Sequence, residues 1–232
     1  MTDPASVQPS LLYSFGVQLV RFLLWAGARA TFAGAENVPR SGPLMVVSNH
    51  LCYADPPILA TLIPRHIVFM AKEELFRWPL RPITLWYGGF PVRRGSADRK
   101  AIRTALALLE HGLALGMFPE GTRSRSRRLG EGQMGAGLLA LRSGASILPV
   151  GIAGTDALRS PLSLLRRPCL SIKIGQAFTV GPYPDASRSM AVAQATETIM
   201  ARIEELLPPE HRPIERKPLT RLRRAESARR ES

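Results

Sequence analysis

Apolar runs alternate with amphipathic segments through the middle of the chain. Short apolar runs predict strands at 44–48, 66–70, 89–93, 113–118, 147–152 and 169–174. Apolar residues at helical intervals predict helices at 56–63, 98–111, 134–143 and 186–207, and a further apolar stretch spans 75–87. Such alternation predicts an α/β fold, here a single domain with a mixed, mostly parallel sheet flanked by helices.

The segment 11–30 predicts an N-terminal amphipathic helix that precedes this domain. Its apolar stripe is formed by Leu12, Phe15, Leu19, Phe22, Leu23 and Ala26, and Arg21 lies opposite that stripe. A membrane-spanning helix needs ~20 largely apolar residues, and Arg21 at mid-bilayer would cost roughly 2.5–3.5 kcal/mol. The pattern therefore favours a helix lying in a membrane interface, with packing on the protein's own core as the alternative.

The chain becomes rich in proline and arginine from Pro208 onward. Residues 211–232 contain seven Arg and one Lys against three Glu, a composition typical of disorder. Polybasic segments gain roughly 1 kcal/mol per basic residue near an anionic leaflet, although a merely solvated tail is equally compatible with this composition. We therefore predict a disordered stretch followed by a membrane-associating helix within 1–34, the α/β domain at 35–207 and a basic, disordered tail at 208–232. Together they predict a peripheral or monotopic protein on the cytoplasmic face of the cell membrane.

The net charge limits the class of partner. A formal charge of +13 and a pI near 11.0 indicate an anionic partner, which is nucleic acid, a phospholipid surface or a phosphorylated substrate. The few aromatic residues do not interleave with the basic clusters as a base-stacking surface requires, and no zinc-finger spacing occurs. We therefore expect no nucleic-acid partner and keep a basic nucleic-acid-binding protein as the alternative of another class.

The cysteines and histidines carry little further signal. Cys52 and Cys169 are far apart, which fits a reducing compartment and predicts no disulfide framework. No Cys, His or acidic cluster has the spacing of a metal site, so no metal is expected. Cys52 is either a nucleophile or a small apolar filler, and the filler interpretation is the more common one for cysteine.

The segment from Asn49 to Asp55 holds the main candidate chemistry. His50 follows a predicted buried strand, and Asp55-Pro56-Pro57 predicts a helix start with Asp55 as its N-cap. Because the intervening residues form a strand-to-helix turn, Asp55 can reach back to the imidazole of His50. The pair predicts a general base whose carboxylate fixes the tautomer and stabilises the charged ring. The alternative is that Asp55 only caps the helix and His50 is an ordinary loop residue.

Two further segments also end predicted strands. They are Phe118-Pro119-Glu120-Gly121-Thr122-Arg123-Ser124 and Ile147-Leu148-Pro149-Val150-Gly151. In an open α/β sheet, loops at the strand ends form the ligand site. We therefore expect these loops and the His50 loop to meet.

Four blocks in this order resemble the glycerolipid acyltransferase family, which includes lysophosphatidic acid acyltransferase. The blocks are Asn49, His50 and Asp55; Gly88 to Arg94; Phe118 to Arg123; and Leu148-Pro149-Val150. The resemblance covers roughly residues 35 to 180. It implies that His50 and Asp55 are catalytic and that Arg94, Glu120, Gly121, Thr122 and Arg123 bind the acceptor. Family members often carry an acidic residue where this chain has Arg93, so its acceptor pocket is more basic than usual.

The resemblance also implies a reaction. A fatty acyl group would move from an acyl thioester, acyl-CoA or acyl carrier protein, to the free hydroxyl of lysophosphatidic acid. Glycerol 3-phosphate, other lysophospholipids and an amino-acid lysolipid stay open as acceptors, and no cofactor besides the thioester is expected. Glu120 would orient Arg123 or a glycerol hydroxyl, and Arg125 to Arg128 would form a solvated loop. The candidate lining of the acyl groove is Leu75, Phe76, Trp78, Leu85, Trp86 and Tyr87.

Overall fold

A computed structural model describes residues 11–76, 89–92, 98–183 and 186–214. Within these ranges the chain forms the helices α1 (Leu11–Gly27), α2 (Asp55–Leu62), α3 (Arg99–Glu110), α4 (Met134–Ser143) and α5 (Arg188–Leu206). The strands are β1 (Arg29–Ala33), β2 (Leu44–Ser48), β3 (Ile67–Lys72), β4 (Phe90–Val92), β5 (Ala114–Met117), β6 (Ser146–Ala153) and β7 (Cys169–Ile174). Strands and helices alternate as the sequence predicted.

The strands form one sheet in the order β1-β7-β6-β2-β5-β3-β4. All neighbouring pairs are parallel except β6 and β7, which are antiparallel. The predicted mixed, mostly parallel sheet flanked by helices is therefore confirmed. Because β2, β5 and β6 are parallel neighbours, their carboxyl ends lie at the same edge of the sheet.

The centre of the sheet is covered on both faces. Every residue of β2 is buried, as its unbroken apolar run requires of a strand with helices on both sides. One hydrophobic cluster joins the sheet to α1 and α2, and a second joins it to α3, α4 and α5. The two faces of the sheet are therefore occupied by different sets of helices.

The ends of the helices follow from local hydrogen bonding. The Asp98 side chain caps α3 by accepting hydrogen bonds from the backbone of Lys100 and Ala101. The Ser187 hydroxyl accepts from the backbone of Met190 and begins α5. Both caps lie directly before an amphipathic segment, which is why the sequence located these two helices within a few residues.

Helix α1 contacts the domain with one face and solvent with the other. Tyr13, Gly16 and Leu24 are buried against the core, and the Arg21 guanidinium donates a hydrogen bond of 2.8 Å to the carbonyl of Thr61 on α2. The stripe that the sequence singled out is the exposed one, with Leu12, Phe15, Leu19, Phe22 and Leu23 open to solvent. Within the described residues, no helix is long and apolar enough to cross a membrane.

Two segments differ from the predicted organisation. Residues 29–33, placed with the N-terminal segment 1–34, form the edge strand β1 and pair with β7. Four of the five β1 residues are exposed, so this strand lacks the apolar pattern that would reveal it. At the other end, residues 208–214 were assigned to the disordered tail. Here they contain a short helix, Pro209–His211, whose His211 is buried against the loop after β5.

Candidate active site

The loops that follow β2, β5 and β6 meet at the carboxyl edge of the sheet. They carry His50, Phe118 to Arg123, and Thr155 respectively. The strand order places β2 between β6 and β5, so the His50 loop is contacted from both sides. This is the place in an open α/β sheet where ligand sites form.

His50 and Asp55 are in direct contact. Nδ1 of His50 lies 2.8 Å from Oδ2 of Asp55, and both side chains are buried. With Nδ1 donating to the carboxylate, Nε2 is the ring nitrogen left to accept a proton. The His50 ring also stacks on Phe118 at 4.0 Å between ring centroids, which further limits its rotation.

Every acceptor position of the Asp55 carboxylate is used. Besides the imidazole, Oδ2 accepts hydrogen bonds from the backbone of Leu51 at 2.7 Å and Cys52 at 2.8 Å. Oδ1 accepts from the hydroxyl of Thr155 at 2.6 Å and from the Cys52 thiol at 3.6 Å. Because the carboxylate is completely buried, these donors replace the water that would otherwise stabilise its charge.

The predicted N-cap role of Asp55 is wrong. Ala54 occupies the N-cap position of α2, and Asp55 is the first helical residue, followed by two prolines. The Asp55 side chain turns back toward residues that precede the helix, because their free backbone N–H groups and the imidazole outcompete the helix N-terminus as donors. The interpretation of Asp55 as a simple cap therefore fails on geometry.

Asn49 fixes the start of the same loop to β6. Its side-chain amide donates to the carbonyl of Ile152 and accepts from the backbone N–H of Ile152, each at 2.8 Å. On the other side, the carbonyl of His50 accepts from the backbone of Ser124 at 2.8 Å. The backbone on both sides of His50 is thus held independently of the Asp55 carboxylate.

Glu120 is buried under the His50 loop. Its Oε1 accepts from the backbone of His50 at 3.0 Å, and its Oε2 accepts from the backbone of Gly130 at 2.9 Å. Burial raises the pKa of the Glu120 carboxyl, and the two backbone hydrogen bonds oppose that shift. The structure thus gives Glu120 backbone partners in place of the predicted contact with Arg123, and its substrate-binding role stays a prediction.

Cys52 is a buried member of the same loop. Burial, together with the nearby Asp55 charge, raises the pKa of its thiol to about 12. The thiol is therefore protonated at neutral pH and donates to the carboxylate instead of serving as a nucleophile. This agrees with the filler interpretation.

Thr155 contacts the His50–Asp55 pair from a part of the chain that is distant in sequence. It is fully buried in a short 3-10 helix, Thr155–Ala157, directly after β6. Gly154 precedes it with a φ of 83°, and a Cβ there would lie 2.1 Å from the carbonyl oxygen of Cys169. Only glycine permits this turn. The next residue, Asp156, forms an ion pair of 2.9 Å with Arg127 from the loop after β5.

The remaining predicted acceptor residues are more exposed. The Arg123 guanidinium lies 3.8 Å above the ring of Tyr53 and donates a hydrogen bond of 3.1 Å to its hydroxyl. Gly121 is half-buried and Thr122 is exposed in the same loop. Arg94 lies outside the described residues. The structure thus brings Arg123 beside the His50 loop through Tyr53, a residue that the sequence analysis did not single out.

The loop after Arg123 is less free than the solvated loop that the sequence predicted. Besides the Arg127 ion pair with Asp156, the Arg128 guanidinium donates to the carbonyl of Arg212 at 2.8 Å. The Leu129 backbone N–H donates to the carbonyl of His211, also at 2.8 Å. Arg125 remains exposed, so the solvated interpretation holds for that residue only.

A cavity of about 1310 Å³ opens beside Phe118 to Thr122, on the face of the sheet covered by α3, α4 and α5. Its lining is mainly apolar and includes Met70, Ile102, Met117, Leu138, Leu139 and Val192. Lys72, Asp98, Glu120 and Arg188 add charged groups. Leu75 and Phe76, predicted to line an acyl groove, are not among the residues that line this cavity, and Trp78, Leu85, Trp86 and Tyr87 lie outside the described residues.

Metal chemistry has no obvious ligand set in the described part of the chain. No group of three or more His, Cys, Asp or Glu residues there could hold a metal ion.

The comparisons with known proteins agree with this geometry. A family model described as Acyltransferase matches residues 29–153, more than half of the chain. The 1-acyl-sn-glycerol-3-phosphate acyltransferase of Borreliella burgdorferi is 33% identical over 141 residues, which cover 59% of this chain and 56% of the relative. The lyso-ornithine lipid O-acyltransferase of Pseudomonas aeruginosa is 36% identical over 142 residues, covering 57% of this chain and 54% of the relative. The chain thus spans about half the length of these two relatives.

A solved structure is similar over more of the chain. The crystal structure of the 1-acyl-sn-glycerophosphate acyltransferase of Thermotoga maritima superposes with a TM-score of 0.62 at 27% sequence identity. The match covers 84% of this chain and 78% of that one. The structural similarity therefore covers most of the α/β fold.

Proposed function

The chain belongs to the acyltransferase family, and on this basis we propose that it transfers a fatty acyl group from an acyl thioester to the free hydroxyl of lysophosphatidic acid. The product would be phosphatidic acid. The observation that carries the proposal is the buried contact of 2.8 Å between His50 and Asp55, which leaves Nε2 as the available base. The activity named for the Borreliella burgdorferi and Thermotoga maritima proteins supports this choice of acceptor.

In the proposed reaction, Nε2 of His50 removes the proton of the acceptor hydroxyl while the hydroxyl oxygen attacks the thioester carbonyl. A carbon–oxygen bond forms, the carbon–sulfur bond breaks, and the imidazolium returns its proton to the departing thiolate. Asp55 stabilises the imidazolium between these two transfers. The acyl group passes directly between substrates, consistent with a Cys52 thiol that stays protonated.

We assign the acyl chain to the apolar cavity beside Phe118. Phe118 lines that cavity and stacks on His50, so a chain held there would present its thioester near the base. The cavity shares the mainly apolar lining of small-molecule sites and, at about 1310 Å³, is larger than their usual range of roughly 300–1,000 Å³, which suits a long acyl chain. Leu138 and Leu139 of α4 and Val192 of α5 would contact the chain.

We assign the acceptor phosphate to Arg123, together with Arg94. A guanidinium binds a phosphate through paired hydrogen bonds, so two arginines suit a phosphorylated acceptor. Arg123 is exposed at the loop beside His50, where a phosphate can reach it. The donor would be acyl-CoA or acyl carrier protein, and the reaction needs no other cofactor.

The enzyme would meet its lipid substrate as a peripheral protein on the cytoplasmic face of the cell membrane. The exposed stripe of α1, with Phe15, Phe22 and Trp25, supports insertion into the interface of the bilayer. The net charge of +13 supports attraction to anionic headgroups.

A second acceptor is favoured by a specific observation. The Pseudomonas aeruginosa relative, named as a lyso-ornithine lipid O-acyltransferase, has the higher identity of the two relatives compared, 36% against 33%. A lyso-ornithine lipid also presents a free hydroxyl, so the same base would serve. It lacks the phosphate that Arg123 is assigned to bind, and this difference separates the two candidates.

The test is an acceptor panel with purified protein and oleoyl-CoA. Thiol release and the acylated product, identified by mass spectrometry, would be measured with lysophosphatidic acid, lyso-ornithine lipid, lysophosphatidylcholine and glycerol 3-phosphate. We expect lysophosphatidic acid to give the highest kcat/KM. Preference for the lyso-ornithine lipid would support the second candidate, and absence of thiol release with every acceptor would overturn both.

Two variants link that activity to the base. His50→Ala should lower kcat by roughly 10²–10⁴-fold, as expected for loss of a general base. His111→Ala is the matched control, since His111 is exposed just after the end of α3 and its ring Nδ1 lies 2.7 Å from the carbonyl oxygen of Ala107, a neighbour in the chain. Near-normal turnover by folded His50→Ala protein would contradict the mechanism.

A further inference from the structure

The connection between β6 and β7 exposes two leucines. Leu162 is 73% and Leu165 is 81% exposed, more than most of the exposed large apolar side chains of α1. Both lie in the 3-10 helix Pro161–Arg166. Residues three apart eclipse one another in a 3-10 helix, so the two leucines project to the same side.

The connection is held firmly against α1. Leu164 packs at the C-terminal end of α1, where a Cβ added to Gly27 would lie 2.8 Å from the Leu164 Cβ. At the N-terminal end of the 3-10 helix, the backbone of Ser160 donates to the Ser163 hydroxyl at 3.2 Å. The exposed leucines are therefore presented by a supported turn beside α1, near whose end Trp25 is 77% exposed.

Basic side chains surround these leucines. Arg159, Arg166 and Arg167 are all exposed. The sequence contains no Asp or Glu between residues 157 and 183, nor between residues 11 and 35. Exposed leucines with cations at their margin fit an anionic bilayer, where the apolar groups enter the interface and the arginines meet lipid phosphates. Nucleic acid would use the arginines but would gain little from the leucines.

The connection between β6 and β7 lies at the same edge of the sheet as the His50 loop. β7 runs antiparallel to β6, with Ser171 opposite Ala153, so the connection lies at the carboxyl edge of β6. β1 starts at the same edge, with Arg29 beside Cys169. The His50 loop follows β2 at this edge too, because β2 and β6 are parallel.

We propose that the segment Pro161–Arg166 is a second membrane-contacting element, in which Leu162 and Leu165 enter an anionic lipid surface while Arg159, Arg166 and Arg167 contact its phosphates. This proposal rests on the proposed docking of α1 and goes beyond it. One inserted helix leaves the domain free to rotate about the helix axis, whereas a second contact fixes the orientation of the domain on the bilayer. In this orientation the edge of the sheet that carries His50 faces the bilayer that supplies the acceptor.

The first experiment is sedimentation of the full-length protein with vesicles made of equal parts phosphatidylcholine and phosphatidylglycerol. The double variant Leu162→Ser/Leu165→Ser should partition roughly tenfold or more weakly than the native protein, given the transfer free energy of exposed leucine side chains. Its melting temperature should be unchanged, since both side chains are already exposed. Native-like partitioning of the double variant would overturn the proposal.

A charge-matched pair tests the arginines. Arg166→Glu should weaken partitioning, whereas Arg103→Glu should leave it nearly unchanged, because Arg103 is exposed on α3 at the opposite face of the sheet. Equal loss in both variants would show that net charge alone drives binding, which contradicts the proposal. A duplex oligonucleotide offers a separate check: if the leucine variant lost affinity for the duplex but not for vesicles, the surface would belong to nucleic acid and the proposal would fail.

Activity in detergent micelles separates this inference from the proposed function. The double leucine variant should acylate micellar lysophosphatidic acid at the native rate, since both leucine side chains are largely exposed and are not among the residues assigned to the reaction. Micellar activity with lost vesicle binding supports the docking inference. Native vesicle binding by the variant overturns that inference even when the acyl transfer is fully demonstrated.

Discussion

Two loops at the same edge of the sheet differ in how firmly they hold their side chains. The loop from Asn49 to Asp55 is buried, and its carboxylate accepts hydrogen bonds at both oxygens. The loop from Gly121 to Arg128 presents Arg123 to solvent, where its guanidinium lies over the ring of the exposed Tyr53 and donates to its hydroxyl. The two loops therefore suit different roles. The proposed base His50 is held in place before substrate binds, whereas the Arg123 side chain, proposed to bind the acceptor phosphate, is free to adjust to it.

Asp55→Asn should break the preorganised loop most severely. An asparagine can still accept from His50 on one side and donate to the Thr155 hydroxyl on the other, so the loop should keep its shape. The negative charge that stabilises the imidazolium would be lost, and we expect kcat to fall by about 10²–10⁴-fold. Unfolding free energy should fall by only about 1–3 kcal/mol.

Steady-state kinetics and thermal unfolding of the same Asp55→Asn preparation would check both values. A catalytic loss of less than about tenfold would show that the charge of Asp55 contributes little beyond orientation. Collapse of the fold would point to a mainly structural role.

Thr155→Val tests whether the second carboxylate oxygen matters. Valine keeps the volume of threonine but removes the donor, leaving Oδ1 of Asp55 with the weak thiol of Cys52. Loss of one partner of a buried charged group costs about 1–3 kcal/mol of stability. We expect kcat to fall by roughly tenfold, because 1.4 kcal/mol of lost transition-state stabilisation corresponds to that factor.

Thr155→Ser is the matched control, since it restores the hydroxyl. If the Thr155 hydroxyl positions the Asp55 carboxylate, its loss should lower kcat with KM unchanged and move the acid limb of the pH profile of kcat/KM. A purely structural role would lower stability without moving that limb. Failure of serine to restore activity would also contradict the assignment.

The contacts of the candidate site that are local in sequence could be predicted, and those between distant segments could not. His50 and Asp55 were identifiable because they lie within one turn of chain between a strand and a helix. Thr155 donates to Asp55 from 100 residues away, and no local pattern marks that contact. The Asn49 amide was recognised as part of a motif, but its paired bonds to Ile152 depend on β6 lying beside β2.

The fold follows the same rule. Buried central strands were predicted because an unbroken apolar run is a local property, as in β2. The edge strand β1 was missed because it is mostly exposed and is defined by its pairing with β7. The Asp55 cap was mispredicted for a related reason, since the competing donors of Leu51 and Cys52 depend on the folded shape of the turn.

Arg123→Lys tests the exposed side chain proposed to bind the acceptor phosphate. Lysine keeps the charge but cannot bind a phosphate through paired donors or stack as a planar group on Tyr53. We expect KM for lysophosphatidic acid to rise by about five- to tenfold with kcat nearly unchanged, and stability to change by no more than about 0.5 kcal/mol, as for exposed positions. Arg125→Lys, at an exposed position in the same loop, is the control. A fall in kcat without a change in KM would contradict the assignment of Arg123 to acceptor binding and would indicate a role in the chemical step.

Glu120 lies between the two loops, and its titration should give the smallest effect. Burial raises the pKa of the Glu120 carboxyl in the folded protein above that of an unfolded glutamate. The folded state therefore favours the protonated form, so the contribution of Glu120 to stability is largest below the unfolded pKa of ~4.3. That contribution declines as pH rises through the raised folded pKa.

Glu120→Gln removes the ionisable carboxyl group. It also replaces one of the two carboxylate oxygens by an NH2 group, which cannot accept the hydrogen bond that the backbone N–H of His50 or Gly130 donates in the native protein. The variant should be less stable than the native protein, and the gap in melting temperature should narrow as pH rises from about 4 toward neutrality. Thermal unfolding of both proteins across that range would measure the gap. A gap that widened with pH would mean that the hydrogen bonds from His50 and Gly130 outweigh burial, and that Glu120 holds the two loops together as an anion.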